Sequence, residues 1–159
     1  TASPFDSYLT LRGLRTLKAR LNLHLANTAA VVELLGGHPA VRKTYYPGLA
    51  SHPGHALAAS QQSGFGAMLS FELEDTDAVK EFLANLEFFS LAESLGGVES
   101  LVAHPASMTH AAMDPEARRI AGISDGLLRL SIGIEDSEDL CRAIGNALDA
   151  VLALKREAA

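Results

Sequence analysis

The chain has 159 residues, about one domain's worth, and its 19 acidic against 13 basic side chains leave a formal charge of -6. That balance argues against nucleic acid as the main partner, since a phosphate backbone is gripped by clustered lysine and arginine. With 48% hydrophobic and 20% charged residues a core can form, and neither a long apolar run nor a basic-then-apolar leader is present, so no membrane association and a cytoplasmic location are expected.

The chain opens on Ser3-Pro4-Phe5-Asp6 without methionine, a segment that reads as a mid-chain junction, so a fragment is expected. Over residues 7–35, Leu14, Leu17, Leu21, Leu25, Thr28, Val32 and Leu35 advance by three or four, which predicts one continuous helix. Its length would be roughly 43 Å at ~1.5 Å per residue, too long for a small domain to bury unless the first half leans on something else. Gly36-Gly37 and Pro39 end it. Residues 41–46 read as a strand closed by Pro47-Gly48, and residues 55–62 as a short helix. After the Gly64-Phe65-Gly66 turn, Ala67, Leu69, Phe71 and Leu73 alternate with Met68, Ser70 and Glu72 at the strand period of two.

Residues 75–86 are expected to be helical and 88–92 a strand, followed by a long loop through Gly96-Gly97 towards His110. Asp114-Pro115-Glu116 opens a short helix, since a capping carboxylate followed by proline suits helix entry. Residues 127–132 form a clear strand, with Leu128, Leu130 and Ile132 on one face and Arg129 and Ser131 on the other. Residues 137–155 form the last helix, acidic at its start and basic at its end, as the helix dipole favours. The lone Cys141, in that helix, excludes an internal disulfide and is expected as a buried structural thiol. This pattern predicts an α+β fold, an α/β sandwich with a small, mainly antiparallel sheet and helices on one face. The face carrying Arg129 and Ser131 would then need a partner.

Arg129 is the most informative position, because an arginine inside Leu-Leu-Arg-Leu-Ser-Ile costs stability unless it is paired or opens on a cleft. Its planar fork suits a carboxylate held by two hydrogen bonds; the plainer alternative is an internal bridge to Glu135 or Asp136. The stretch from Glu93-Ser94 through Gly96-Gly97 places a carboxylate and a hydroxyl at a strand end, then glycines that let backbone approach a ligand; a simple glycine turn is the alternative. The pairs His52/His55 and His104/His110 lack zinc-ligand context, a Ser94/His110/Asp114 triad lacks a nucleophile elbow, and Gly64-Phe65-Gly66 precedes a strand where a dinucleotide fingerprint needs a helix. No metal site is expected.

Four segments in order carry a resemblance: Ser3-Pro4-Phe5-Asp6-Ser7-Tyr8-Leu9 with Leu11-Arg12-Gly13-Leu14; Ala92-Glu93-Ser94-Leu95-Gly96-Gly97-Val98-Glu99-Ser100-Leu101; His104-Pro105-Ala106 with Met108-Thr109-His110; and Gly122-Ile123-Ser124 with Leu128-Arg129-Leu130-Ser131-Ile132-Gly133-Ile134-Glu135-Asp136. Together they resemble the Cys/Met-metabolism, pyridoxal-phosphate-dependent trans-sulfuration enzymes. The resemblance runs from Ser3 to about Val151 and covers only the C-terminal domain of such an enzyme, a fold-type I domain preceded by a long linking helix. It implies that residues 1–36 are linker and interdomain helix, that residues 37–159 are the C-terminal substrate-recognition domain, and that the N-terminal domain binding pyridoxal 5'-phosphate is absent.

The resemblance also implies residue roles. Arg129 resembles the arginine that holds the substrate α-carboxylate, Ser94 the serine that helps position substrate and the cofactor-bearing lysine, Glu93 the acidic residue at the substrate entrance, and Thr109 a threonine lining the same pocket. The lysines Lys18, Lys43, Lys80 and Lys155 do not match the cofactor-bearing one, so catalysis by this chain alone is not expected. The segments 64–73 and 113–118 look most similar to members that join cysteine to an O-acylated homoserine by γ-replacement in methionine synthesis. A γ-eliminating member is the alternative, and a noncatalytic α+β module binding an amino acid through Arg129 is the alternative of another class. The expected partners are an amino-acid substrate, the missing large domain and, for the full-length enzyme, three further copies in a homotetramer.

Overall fold

Helix formation begins earlier than the apolar periodicity indicates. In the computed structural model, which describes residues 2–157, α1 spans Pro4–Leu14. Ser3 is its N-cap, with Oγ accepting from the Asp6 N–H at 3.1 Å, and Pro4 fills the first turn, where a missing N–H costs nothing. The expected single rod is two helices, α1 and α2 (Leu17–Gly37). They part at Thr16, whose N–H and hydroxyl both donate to the Gly13 carbonyl at 3.3 Å, while Arg20 Nη2 donates to the same oxygen at 2.8 Å. A weak helix former followed by a hydroxyl that competes for its carbonyl is enough to interrupt the ladder.

Leu9, Leu11, Leu14 and Leu21 are 45–60% exposed, whereas burial of α2 begins at His24 and takes in Asn27, Thr28, Val31, Val32 and Leu35. The polar members of that buried face are paired: His24 Nδ1 meets the Ile132 carbonyl at 2.6 Å, and Asn27 Nδ2 donates to the carbonyls of Gly133 (3.1 Å) and Glu135 (2.8 Å). These bonds satisfy groups that would otherwise be buried without partners, and they pin α2 to residues 132–135.

After β1 (Lys43–Tyr45) and α3 (His55–Gln61) come β2 (Met68–Glu72), α4 (Thr76–Asn85), β3 (Ser90–Leu91), β4 (Leu101–Ala103), α5 (Pro115–Ile120), β5 (Leu127–Ser131) and α6 (Ser137–Glu157). The strands form one sheet in the order β1-β2-β5-β4-β3, antiparallel throughout except for the parallel β3–β4 pair. One face carries Leu69, Phe71, Val102, Leu128 and Leu130, packed with Val79 and Phe82 of α4, Leu140, Ile144, Leu148 and Val151 of α6, and Val31 and Leu35 of α2. This is the expected α+β arrangement, a mainly antiparallel sheet with helices on one face. Asp75 and Asp114 cap α4 and α5 through bonds to the Ala78, Glu116 and Ala117 amides.

A further element departs from expectation. Leu101–Ala103 lies inside the segment expected to be loop, yet it is a strand between β5 and β3 with all three residues buried. A strand covered on both faces shows no alternation of apolar and polar residues, so its pattern carries no period of two. Among the described residues, no helix is long and apolar enough to cross a membrane.

Candidate functional site

Alternation along β5 sends Leu128 and Leu130 into the helix-side core and Arg129 and Ser131 to the opposite face. The cross-strand neighbours of Arg129 are Ser70 on β2 and Ala103 on β4, both small, which leaves room for a long side chain. The chain leaving β3 returns over this face. Arg129 Nη2 donates to the carbonyls of Glu93 at 2.7 Å and Ser94 at 3.1 Å, and Ser131 Oγ accepts from the Gly96 N–H at 2.9 Å. The face expected to lack a cover is thus roofed in part by the chain's own residues, and Ser131 is buried. Gly96 has φ 77°, a left-handed backbone that glycine adopts without a steric penalty.

A second anchorage closes the roof. The Glu135 carboxylate accepts from the Ser100 N–H at 2.6 Å and the Ser100 hydroxyl at 2.9 Å, while Ser100 Oγ accepts from the Gly133 N–H at 2.8 Å. The Ile134 N–H donates to the Val98 carbonyl at 2.9 Å. Gly133 has to be glycine here, since a Cβ would press on the Val98 carbonyl and lie 2.7 Å from the Glu99 carbonyl carbon. Asp136 is occupied elsewhere, its Oδ1 accepting from the Glu138 and Asp139 amides at the start of α6 at 2.9 and 3.3 Å.

The expected alternative for Arg129, an internal bridge to Glu135 or Asp136, is therefore not what forms. Among the described residues, no carboxylate pairs with Arg129, and its enclosed Nε has no acceptor. A half-buried permanent cation held in place by neutral carbonyls is left without a counter-ion, the condition under which an arriving carboxylate gains most. Clefts also lie elsewhere. One of about 630 Å³, lined by Leu25, Val32, Tyr46, Leu49 and Phe65, contains no lysine or arginine. Another of about 600 Å³ between α4 and α6 has its two lysines, Lys80 and Lys155, paired with Asp77 and Glu74. A third of about 530 Å³ beside β1 offers the exposed Arg42 and Lys43.

Glu93 and Ser94 are exposed and reach Arg129 through their carbonyls. Thr109 is exposed in the turn that follows β4, with Oγ1 2.8 Å from His110 Nδ1; among the described residues no hydrogen bond links it to Arg129. The histidines have local partners: His52 accepts from the Gly54 N–H, His55 meets the Pro47 carbonyl and stacks on Phe65, and buried His104 bridges Ser107 and the Asp125 carbonyl. Asp114 caps α5 and His110 turns to Thr109, so the paper triad with Ser94 is not assembled. Sequence reasoning missed the roles of Ser131, Ser100 and Glu135 in holding the loop. The alternation that puts Ser131 beside Arg129 is the one signal that pointed to any of them.

Cys141 is half-buried, not fully enclosed as expected. Burial pushes its thiol above the ordinary range, opposed by a hydrogen bond with Ser137 and reinforced by the charge of Glu33. Because the thiolate is the reacting form, Cys141 should alkylate with iodoacetamide at pH 8 more slowly in the native protein than after denaturation. A native rate equal to or above the denatured rate would contradict the burial described.

These elements make an α+β domain in which Arg129 of β5 lies beneath a loop that turns at Gly96. The chain belongs to the Cys/Met metabolism PLP-dependent enzyme family, which matches residues 1–149. Cystathionine gamma-synthase of Escherichia coli (strain K12) is 56% identical over 151 residues, covering 94% of this chain and 39% of its own length. Cystathionine beta-lyase of Lactococcus lactis subsp. cremoris (strain MG1363) is 55% identical over 146 residues, covering 92% of this chain and 38% of that protein. The crystal structure of cystathionine gamma synthase from Xanthomonas oryzae pv. oryzae in complex with aminoacrylate and cysteine superposes with a TM-score of 0.90 at 66% identity, over 96% of this chain and 40% of that one. The chain thus spans about two fifths of the length of these relatives.

Pyridoxal phosphate is the cofactor of the family. The lysines of this chain and Arg129 differ in what already holds them. Lys80 and Lys155 are paired with acids, Lys43 lies 4.6 Å from the Tyr45 ring centroid on β1, two strands from β5, and Lys18 is exposed on α2, whereas Arg129 offers a cation without a counter-ion.

Proposed function

We propose that this chain is the C-terminal, substrate-recognition part of a pyridoxal-phosphate-dependent cystathionine γ-synthase. The full-length protein would replace the acyloxy group of an O-acylhomoserine, O-succinyl-L-homoserine in the first instance, with the sulfur of L-cysteine, the Cγ–O bond breaking to release the carboxylate (succinate) as the Cγ–S bond of L-cystathionine forms, in methionine synthesis. The observation that carries this reading is Arg129, a cation without a counter-ion in a chain 66% identical to a cystathionine γ-synthase. Residues 1–36 act as linker and interdomain helix, with the exposed leucines of α1 against the part that binds the cofactor, and residues 37–159 act as the recognition domain. The working form is a cytoplasmic homotetramer.

When bound, pyridoxal phosphate supplies the electron sink for breaking bonds at the amino-acid carbons. The chain's own part is to bind and orient. Arg129 holds the substrate α-carboxylate, which fixes the amino acid about one end and sets its side chain relative to the cofactor plane. Ser94, exposed beside Arg129, helps position the substrate and the cofactor-bearing lysine of the missing domain. Glu93 stands at the entrance and selects among incoming groups by charge, and Thr109 lines the same pocket. The isolated chain, lacking that lysine, is inactive.

The test is an assay of the full-length protein with O-succinyl-L-homoserine, with and without L-cysteine. Cystathionine accumulating only when cysteine is added is the expected result, with no turnover by the 159-residue chain alone. Preferential breakdown of cystathionine to a keto acid would replace the synthase reading with a lyase. Amino-acid binding without any cofactor-dependent turnover would leave only a noncatalytic module.

A further inference from the structure

We propose that Ser131 is a positioning residue that holds the Glu93–Ser94 loop over Arg129 through the Gly96 amide; this role rests on the function proposed above. Arg129 and Ser131 are two residues apart on β5 and share one face of the sheet. Arg129 takes the carbonyls of residues 93 and 94, and Ser131 takes the N–H of residue 96, so a stretch of irregular backbone is tied to a single strand from both of its polar sides. The flanking backbone ties lie further out, with the Ala92 N–H on the Val102 carbonyl and the Val98 carbonyl accepting from the Ile134 N–H, each at 2.9 Å.

Between those points the loop is held by the two β5 side chains. Without Ser131, the guanidinium would be the remaining side-chain tie, and an arginine that must also restrain a loose loop cannot keep its fork in one plane for a carboxylate. Ser131 is 1% exposed, so water has little access to replace its oxygen, and alanine there leaves the Gly96 N–H facing a methyl group. The role is distinct from substrate contact, because the Ser131 hydroxyl lies beneath the loop.

In the full-length protein, Ser131→Ala is expected to raise KM for the amino-acid substrate about fivefold to tenfold while kcat stays within about twofold, as loss of a grip made equally in the bound state and the transition state requires. Amide hydrogen exchange across residues 94–97 should quicken by about tenfold, with the cofactor absorbance unchanged. Ile144→Val, which trims the core on the opposite face of the sheet, is the comparison: it should lower the unfolding midpoint and leave KM and exchange at 94–97 as in the wild type. Unchanged KM and exchange in Ser131→Ala, or the same rises in Ile144→Val, would overturn the positioning role. A wild-type protein with no cofactor-dependent turnover would instead overturn the proposed function, and this role with it.

Discussion

In the full-length protein, Arg129→Lys is expected to lower kcat/KM by about tenfold to hundredfold, the equivalent of losing one charge-assisted hydrogen bond worth ~1.5 to 3 kcal/mol. Arginine does two things here that an ammonium cannot do together. One terminal nitrogen already donates to the Glu93 and Ser94 carbonyls, at 2.7 and 3.1 Å, and the planar group keeps further N–H donors for a ligand. Lysine carries a single compact charge on a flexible stem. If it bonds the loop carbonyls it has no second donor fixed in plane for the carboxylate, and if it turns to the carboxylate the loop is released. The grip is made with the bound substrate as well as in the transition state, so most of the loss should fall on KM, with a smaller fall in kcat from a substrate that sits askew. Steady-state kinetics with a cofactor spectrum like the wild type's are the measurement. A kcat/KM near that of the wild type would remove Arg129 from the carboxylate.

Arg129→Lys and Ser131→Ala should also fail to add. Both variants loosen the same four residues of loop, so the double variant should lose less than the product of the two single losses, as expected for groups that share one restraint.

Much of the scaffold around this site was legible because its signals are local. Strict alternation exposed β2 and β5, apolar spacing exposed α4 and α6, and Asp114 followed by Pro115 exposed the start of α5. Arg129 stood out because a permanent charge at mid-strand requires an explanation. What was not legible depends on contacts distant in sequence. The strand Leu101–Ala103 reads as three apolar residues in a loop until β5 and β3 are placed on either side of it. Glu135 appeared as a possible partner for Arg129 because it is near in sequence, yet it is committed to Ser100, 35 residues away. Ser131 looked like an outward polar residue and is buried because residues 93–100 fold back over it. Nor did periodicity reveal the break at Thr16, which arises from competition for one carbonyl and leaves the apolar spacing intact.

The site also depends on a core that sequence patterning did identify, and Phe71→Ala measures that dependence. Phe71 is fully buried in β2, with Leu128 opposite it on β5 and Thr44 opposite it on β1. Its ring meets Phe82 of α4 edge to face, with centroids 5.4 Å apart and planes at 73°. Truncation removes the transfer free energy of the ring and leaves a cavity between a sheet and a helix that can close only in part, so a loss of about 3–5 kcal/mol is expected. Against a typical domain stability of about 5–15 kcal/mol, that is a large share, and it should appear as a pronounced fall in the denaturant midpoint of this domain. Phe82→Ala should cost a similar amount, and the double variant less than the sum, because each ring supplies the other's packing surface. Phe71 also sits next to Ser70, the cross-strand neighbour of Arg129, so relaxation of β2 into the cavity shifts the floor beneath the guanidinium. Activity of Phe71→Ala at temperatures well below its midpoint should therefore show a raised KM. A stability loss under about 1 kcal/mol would mean that the ring is not enclosed between β2 and α4 as described.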